Sequence, residues 1–251
     1  AVNKGFEGFE GRGGNDLLSG GSGFDRADYG FDGPVGVGIT VNLAAGTVVG
    51  DPVLTGTDTL LSIEAIRGSF RADTYNAVGF SSSSTNAGSN GTFNEFEGMA
   101  GDDLITGNGN MRVSYSLARE AVNVNLATGI ATGGASVGID SFSGVNAARG
   151  SNFDDTLIGS NNDVSTLQVF EGRGGNDTIN GGGGFDQSSY SSDPTTSGIV
   201  VDMAAINAFT GRVTGDAAIG TDTLIDVVSV RGTNFDDVYI APGYSSTVTT
   251  L

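Results

Sequence analysis

An all-β solenoid is the fold class this sequence predicts, and three observations carry the prediction. One phrase is written three times, Phe9-Glu-Gly-Arg-Gly-Gly-Asn-Asp16, Phe96-Glu-Gly-Met-Ala-Gly-Asp-Asp103 and Phe170-Glu-Gly-Arg-Gly-Gly-Asn-Asp177, so the chain is a tandem array of one long repeat. Such self-similarity is the signature of stacked architectures. The 43 glycines stand against 4 prolines, with no collagen-like period, so glycine serves turns. Apolar residues fall in short β-branched runs and no window shows a capped helical period, so strands are expected throughout. The repeats are read as residues 1–94, 95–168 and 169–251, together one continuous solenoid.

Each repeat opens with paired nonapeptides. Gly11-Arg-Gly-Gly14-Asn-Asp16-Leu-Leu18-Ser is followed by Gly20-Gly-Ser-Gly23-Phe-Asp25-Arg-Ala27-Asp, and the third repeat has Gly172, Gly175, Asp177 and then Gly181, Gly184, Asp186. Glycines allow positive φ and let backbone carbonyls converge, while the aspartate adds a carboxylate. A hard cation takes six to eight such oxygens, so the spacing is that of a calcium-binding turn. Three further residues make a short strand whose apolar side chain points inward.

The middle of each repeat reads as longer strands, Ile39–Leu43, Val122–Leu126 and Ile199–Met203, each followed by a glycine-rich stretch expected to be loop. A rigidly spaced element follows. Gly56-Thr-Asp58-Thr-Leu, Gly138-Ile-Asp140-Ser-Phe and Gly220-Thr-Asp222-Thr-Leu each lie twelve residues before Gly68, Gly150 or Gly232, which open turns ending at Asp73, Asp155 and Asp237.

If two nonapeptides complete one coil, turns two apart lie above each other. Asp155 then stacks beneath Asp177 and Asp73 beneath Asp103, with a cation between, and Asp163 lies near Asp186. The same register sets Arg67 against Glu97 and Arg149 against Glu171 as an ion-pair ladder, with Ile66 on Phe96 and Ala148 on Phe170 inside. Arg231 and Asp237 have no partner above, and Glu10 and Asp16 none below. The expectation is either a piece of a longer array or a subunit that stacks head to tail on copies of itself.

Charge and composition remove other classes. With 29 acidic against 11 basic residues, the chain repels nucleic acid and anionic lipid. It has no cysteine and no histidine, hence no disulfide, thiolate site or ordinary general base. No apolar run is long enough for a membrane span, and Ala1-Val-Asn-Lys-Gly is not a signal peptide. A leader removed, a fragment, or export without a leader are the readings that remain.

The nonapeptides ending Gly-Phe-Asp25 and Gly-Phe-Asp186, with Gly56-Thr-Asp-Thr-Leu-Leu-Ser-Ile63-Glu64-Ala-Ile-Arg-Gly68-Ser69 before the glycine-rich turns, resemble the repeats-in-toxin (hemolysin-type) calcium-binding family and its bacterial surface and adhesin arrays. The resemblance covers nearly the whole chain. It implies a right-handed parallel β-roll or β-helix, calcium between turns, type I secretion and folding outside the cell. The second repeat departs from the pattern at Gly107-Asn-Gly-Asn110-Met-Arg112, where Arg112 stands for the aspartate. Either its guanidinium takes the cation's place, or the repeat has decayed.

A parallel β-helix can also be a polysaccharide-active enzyme, yet a catalytic residue should be singular, and here the arginines, glutamates and aspartates recur in register. Singular acids such as Asp51 and Glu120 read as solvated charges. Phe24, Tyr29, Phe185 and Tyr190 read as packing ahead of carbohydrate stacking. The stretches 81–92 and 204–217 are expected as loops and as the places for partner contact, the first flexible or glycan-decorated. The expectation is a secreted or cell-surface, calcium-binding structural or adhesive solenoid without catalytic residues, able to form a filament or surface layer. Its partners are calcium, copies of itself and a cell-surface glycan.

Overall fold

The computed structural model describes residues 5–30, 36–161 and 166–245. Among them there is no α-helix, and short strands, many of three residues, carry the fold. The chain divides into two compact units, Ala1–Ser114 with Ala135–Val145, and Tyr115–Gly134 with Asn146–Leu251.

In the first unit the chain alternates between two sheets. Strands Gly8–Phe9, Arg26–Asp28, Ala65–Arg67, Asn94–Glu97 and Met111–Ser114 pair in parallel in that order. On the other sheet Thr40–Asn42, Thr74–Asn76, Leu104–Thr106 and Ile139–Ser143 do the same. The strands Leu17–Ser19, Thr40–Asn42 and Thr74–Asn76 bury their middle residue and expose its flanks, as the two-residue side-chain period requires. The inward row includes Leu18, Val41, Leu60, Tyr75 and Ile105, each at most 7% exposed. Such burial stabilises by about 1.5–3 kcal/mol per large side chain. Ile66 sits beside Phe96 in register, and the Phe96 ring stacks on Tyr75 at 4.8 Å between centroids.

The second unit repeats the plan. Ala147–Arg149, Leu167–Glu171, Phe185–Ser189 and Ser229–Arg231 run parallel. Opposite them Asn123–Asn125, Thr156–Ile158, Thr178–Asn180 and Thr221–Ile225 also pair in parallel. Ala148 lies beside Phe170.

Of the strands expected to be long, Thr40–Asn42 and Asn123–Asn125 have three residues and only Val200–Asn207 is long, and the stretches after all three are not loops. Thr40–Asn42 turns back as Thr47–Val49, Asn123–Asn125 as Ile130–Thr132, and Val200–Asn207 as Thr210–Thr214, each antiparallel. Asparagine makes the first two turns: Asn42 Oδ1 accepts from Ala45 N–H (3.0 Å) and Asn125 Oδ1 from Thr128 N–H (3.0 Å). Gly46 and Gly129 follow at positive φ. The third returning strand, Thr210–Thr214, with the end of Val200–Asn207, takes up much of 204–217.

The serine-rich segment 81–92 also packs. Asn86 is fully buried, its Oδ1 accepting from Ile63 N–H (2.9 Å) and its Nδ2 donating to Ile63 O (2.6 Å). Ser89 Oγ accepts from Gly23 N–H (3.3 Å), and Asn90 Nδ2 donates to Gly23 O. Polar side chains here replace strand hydrogen bonds, so low complexity does not mean a free loop.

Candidate functional site: two kinds of aspartate turn

Asp58, Asp73, Asp103, Asp140, Asp155, Asp177, Asp222 and Asp237 have one job in common, which is to accept a backbone N–H from a neighbouring coil. In the first unit Asp16 N–H donates to Asp58 Oδ1 (2.9 Å), Ile39 N–H to Asp73 Oδ1 (2.7 Å), Asp73 N–H to Asp103 Oδ1 (2.8 Å) and Asp103 N–H to Asp140 Oδ1 (2.9 Å). In the second unit Val122 donates to Asp155 (2.8 Å), Asp155 to Asp177 (2.8 Å), Asp177 to Asp222 (2.9 Å) and Ile199 to Asp237 (2.9 Å). The structure thus brings together Asp73 with Asp103 and Asp155 with Asp177, and it joins them through backbone N–H groups. Asp58, Asp140 and Asp222 belong to the same ladders. Sequence reasoning missed their role, although their constant spacing before the second glycine was the available signal. Tyr29 OH donates to Asp58 Oδ2 (3.1 Å) and Tyr190 OH to Asp222 Oδ2 (2.8 Å), which explains why these tyrosines are buried.

The turns differ at the second carboxylate oxygen. In the Gly-Ser/Thr turns it is satisfied locally. Ser69 N–H, Ser151 N–H and Thr233 N–H donate to Oδ2 of Asp73, Asp155 and Asp237 (2.7, 2.5 and 3.0 Å). The hydroxyls of Ser69, Ser151 and Thr233 donate to Oδ1 (2.7, 2.8 and 2.8 Å). In the Phe-Glu-Gly turns the corresponding residues are Arg12, Met99 and Arg173, all at positive φ (64°, 70° and 74°). There Asp16 Oδ2, Asp103 Oδ2 and Asp177 Oδ2 are buried without a hydrogen-bond partner. Glycine is required inside these turns. Gly101 and Gly175 have φ of 126° and 119°, and a Cβ on either would collide with the backbone of Arg71 or Phe153.

Burial, then the neighbouring Asp140 and Asp73, pushes Asp103 up to about 9; burial, then Asp222, does the same to Asp177. Asp73 and Asp155, with local donors, rise only to about 6, again through burial.

The second nonapeptides carry a different arrangement. Asp25 is fully buried, with Oδ1 accepting from Glu7 N–H (2.9 Å) and Oδ2 unpartnered. Its own N–H donates to Glu64 Oε2 (2.9 Å), and Glu64 Oε1 is buried without a partner. Asp186 is fully buried with neither oxygen bonded. Burial, then Asp226, raises it to about 7. Gly20 and Gly181 face the carbonyls of Ser62 and Asp226, so a Cβ on either would crowd that oxygen and the turn's own aspartate.

Arg112 does not stand in the aspartate's place. Arg26 pairs in register with Ala65, Ala65 with Glu95, and Glu95 with Arg112, so Arg112 matches Arg26 and buried Met111 matches Asp25. The turn after Gly107 is one residue shorter than those after Gly20 and Gly181, which shifts the strand by one. Arg112 Nε bonds Glu95 Oε2 at 2.6 Å and its guanidinium lies over the Phe93 ring.

Elsewhere Arg67 Nε lies 3.5 Å from Glu97 Oε2 and also holds Asp28 (2.6 Å through NH1), while Arg149 Nε bonds Glu171 Oε2 at 2.7 Å. Glu10 takes the Nε of Arg12 at 2.7 Å. Arg231 is exposed and its carbonyl accepts from Tyr190 N–H (2.9 Å). Asp51 is not simply solvated, since its Oδ1 accepts from Val53 N–H (2.9 Å) and Leu54 N–H (3.2 Å). Phe24 lies against Phe93, whereas Phe185 is 43% exposed. Gly11, Gly14, Gly23, Gly172 and Gly184 line the same turns as their aspartates, and Asp163 lies outside the described residues. Among the described residues no three acidic side chains converge as a ready metal-ligating group.

No family model matches the chain, and no curated protein matches it.

Proposed function

We propose that this chain is a calcium-dependent β-solenoid of the repeats-in-toxin kind, coiled right-handed, that serves as a structural or adhesive module outside the cell. The observation that carries this is the orphaned oxygen of Asp16, Asp103 and Asp177, buried in turns that need glycine and an unfavourable backbone. A buried carboxylate oxygen without a donor demands a proton or a cation. Asp16, Asp103 and Asp177 would hold the ion together with carbonyls of the turns Gly11–Gly14, Gly98–Gly101 and Gly172–Gly175. Calcium supplies positive charge that offsets the stacked carboxylates.

Folding and binding are then one event. In low calcium the formal charge of −18 and the facing aspartates keep the chain expanded and exportable; in the calcium of the exterior the turns close. Asp73, Asp103, Asp155, Asp177 and Asp237 recur in register with the same backbone duty, which supports a non-catalytic role. Head-to-tail stacking of copies into a filament or surface layer belongs to the same proposal. Support comes from the last strand of its sheet, where Val238, Tyr239 and Ile240 are 51%, 54% and 41% exposed.

Far-ultraviolet circular dichroism in calcium and in chelator tests the reading. A reduced β signal in chelator at neutral pH, restored by calcium, is expected; full retention would sink it. Light scattering under the same titration tests the stacking, which predicts long particles that chelator disperses.

A further inference from the structure

We infer that the second nonapeptides of the first and third repeats are two-carboxylate cation sites, Asp25 with Glu64 and Asp186 with Asp226. This rests on the calcium reading above and adds the partner acid, which lies outside the nonapeptide.

Three observations carry it. First, these acids are buried and underused. Asp25, Glu64 and Asp186 are at most 1% exposed, and unpartnered oxygens occur on Asp25 (Oδ2), Glu64 (Oε1), Asp186 (both) and Asp226 (Oδ1). Second, the segment supplying the partner acid is bent toward the turn. Ser62 and Asp226 occupy the same position after the Thr57–Leu61 and Thr221–Ile225 strands, both at positive φ (55° and 51°), and their carbonyls face Gly20 and Gly181. A non-glycine residue in that region is strained, so the surroundings hold it there.

Third, the acid follows the need. In register, Glu64 lies beside Asp25, while the position beside Asp186 is Val228; there the acid has moved two residues back to Asp226. In the second repeat the matching positions are Gly144 and Asn146, neither acidic, and the turn facing Gly144 carries Met111 in the aspartate's place. The partner acid is thus present where the nonapeptide keeps its aspartate and absent where it does not. Core packing does not explain acids that come and go together. A hard divalent cation does, because it is held by carboxylate oxygens beside converging carbonyls, and a second carboxylate balances its second charge.

Terbium(III), a hard oxygen-seeking surrogate for calcium, provides the test on the whole chain. Tyr244 OH donates to Val227 O, the residue after Asp226, so it should sensitise terbium emission from that site. Asp226→Gly, which suits the positive φ as Gly144 does, should weaken one terbium site by about 10- to 100-fold in calorimetry. Glu64→Gln should weaken a second, different site. Tyr244→Phe should lower the tyrosine-excited emission and leave the calorimetric stoichiometry unchanged. If Asp226→Gly perturbs the fold, Asp226→Ser, which copies Ser62, gives the same reading. Unchanged stoichiometry and affinity in the Asp226 and Glu64 variants, with calcium-dependent folding intact, would overturn this inference alone. No binding of terbium or calcium by the unaltered chain would overturn the calcium reading with it.

Discussion

The Gly-Ser/Thr turn and the Phe-Glu-Gly turn share a ladder and differ in one donor. Asp155 sits in the first kind, where Ser151 supplies a backbone N–H and a hydroxyl. Asp177 sits in the second, where Arg173 is left-handed and Asp177 Oδ2 has no partner. Both carboxylates accept an N–H from the coil beside them at about the same distance. One turn therefore satisfies its carboxylate by its own chemistry, and the other leaves an oxygen for which the proposed calcium, or a proton, would be the partner. Within each unit, alternating the two places turns whose carboxylate is satisfied locally beside turns that leave one oxygen unpartnered.

The largest effect that would sharpen this contrast is Asp155→Ala. It strands the N–H groups of Val122 and Ser151, so a loss of roughly 3–5 kcal/mol is expected in urea titrations. The loss should be similar with and without calcium. A loss confined to calcium-containing buffer would erase the distinction between the turns.

Asp177→Asn should change sign with conditions. In calcium it removes a ligand and destabilises by about 1–3 kcal/mol; in chelator near neutral pH it removes the cost of protonating a buried carboxyl and stabilises. The same sign in both buffers would break the comparison.

Acidity should substitute for calcium. Asp103 and Asp177 rise from 3.8 in the open chain to about 9 in the fold, so the fold binds protons the open chain has released. Their stabilising contribution is full below about pH 4 and is lost as pH climbs toward 9. The melting temperature in chelator should therefore fall across that window, and calcium should flatten the slope. A rising melting temperature would refute the assignment.

The smallest effect is Met99→Gly. Relief of its positive φ should add about 1 kcal/mol, whereas Ser69→Gly, at a position without positive φ, should not stabilise. Thermal melts of the two variants would show this.

Much of the fold was legible because it is periodic. The inward residues Leu18, Ile66 and Phe96, and the pairing of Arg67 with Glu97 and Arg149 with Glu171, follow from counting residues between glycines. The returning strands Thr47–Val49, Ile130–Thr132 and Thr210–Thr214 were not legible, because a two-stranded return needs only an asparagine turn and three residues that fit. Serine content likewise suggested a free loop at 81–92, where buried Asn86 instead bonds both backbone groups of Ile63.

By itself the sequence determined the repeat, the acidic turns and the strand-only architecture, since these depend on local spacing and on what glycine and aspartate permit. Tertiary structure alone decided which carboxylate oxygens are satisfied and which are stranded. It also decided that Met111, rather than Arg112, takes the aspartate's position, and that Asp226 faces Asp186. The physical reason is that a hydrogen-bond deficit exists only after neighbouring coils have removed water, and a one-residue difference in turn length shifts every side chain of the following strand.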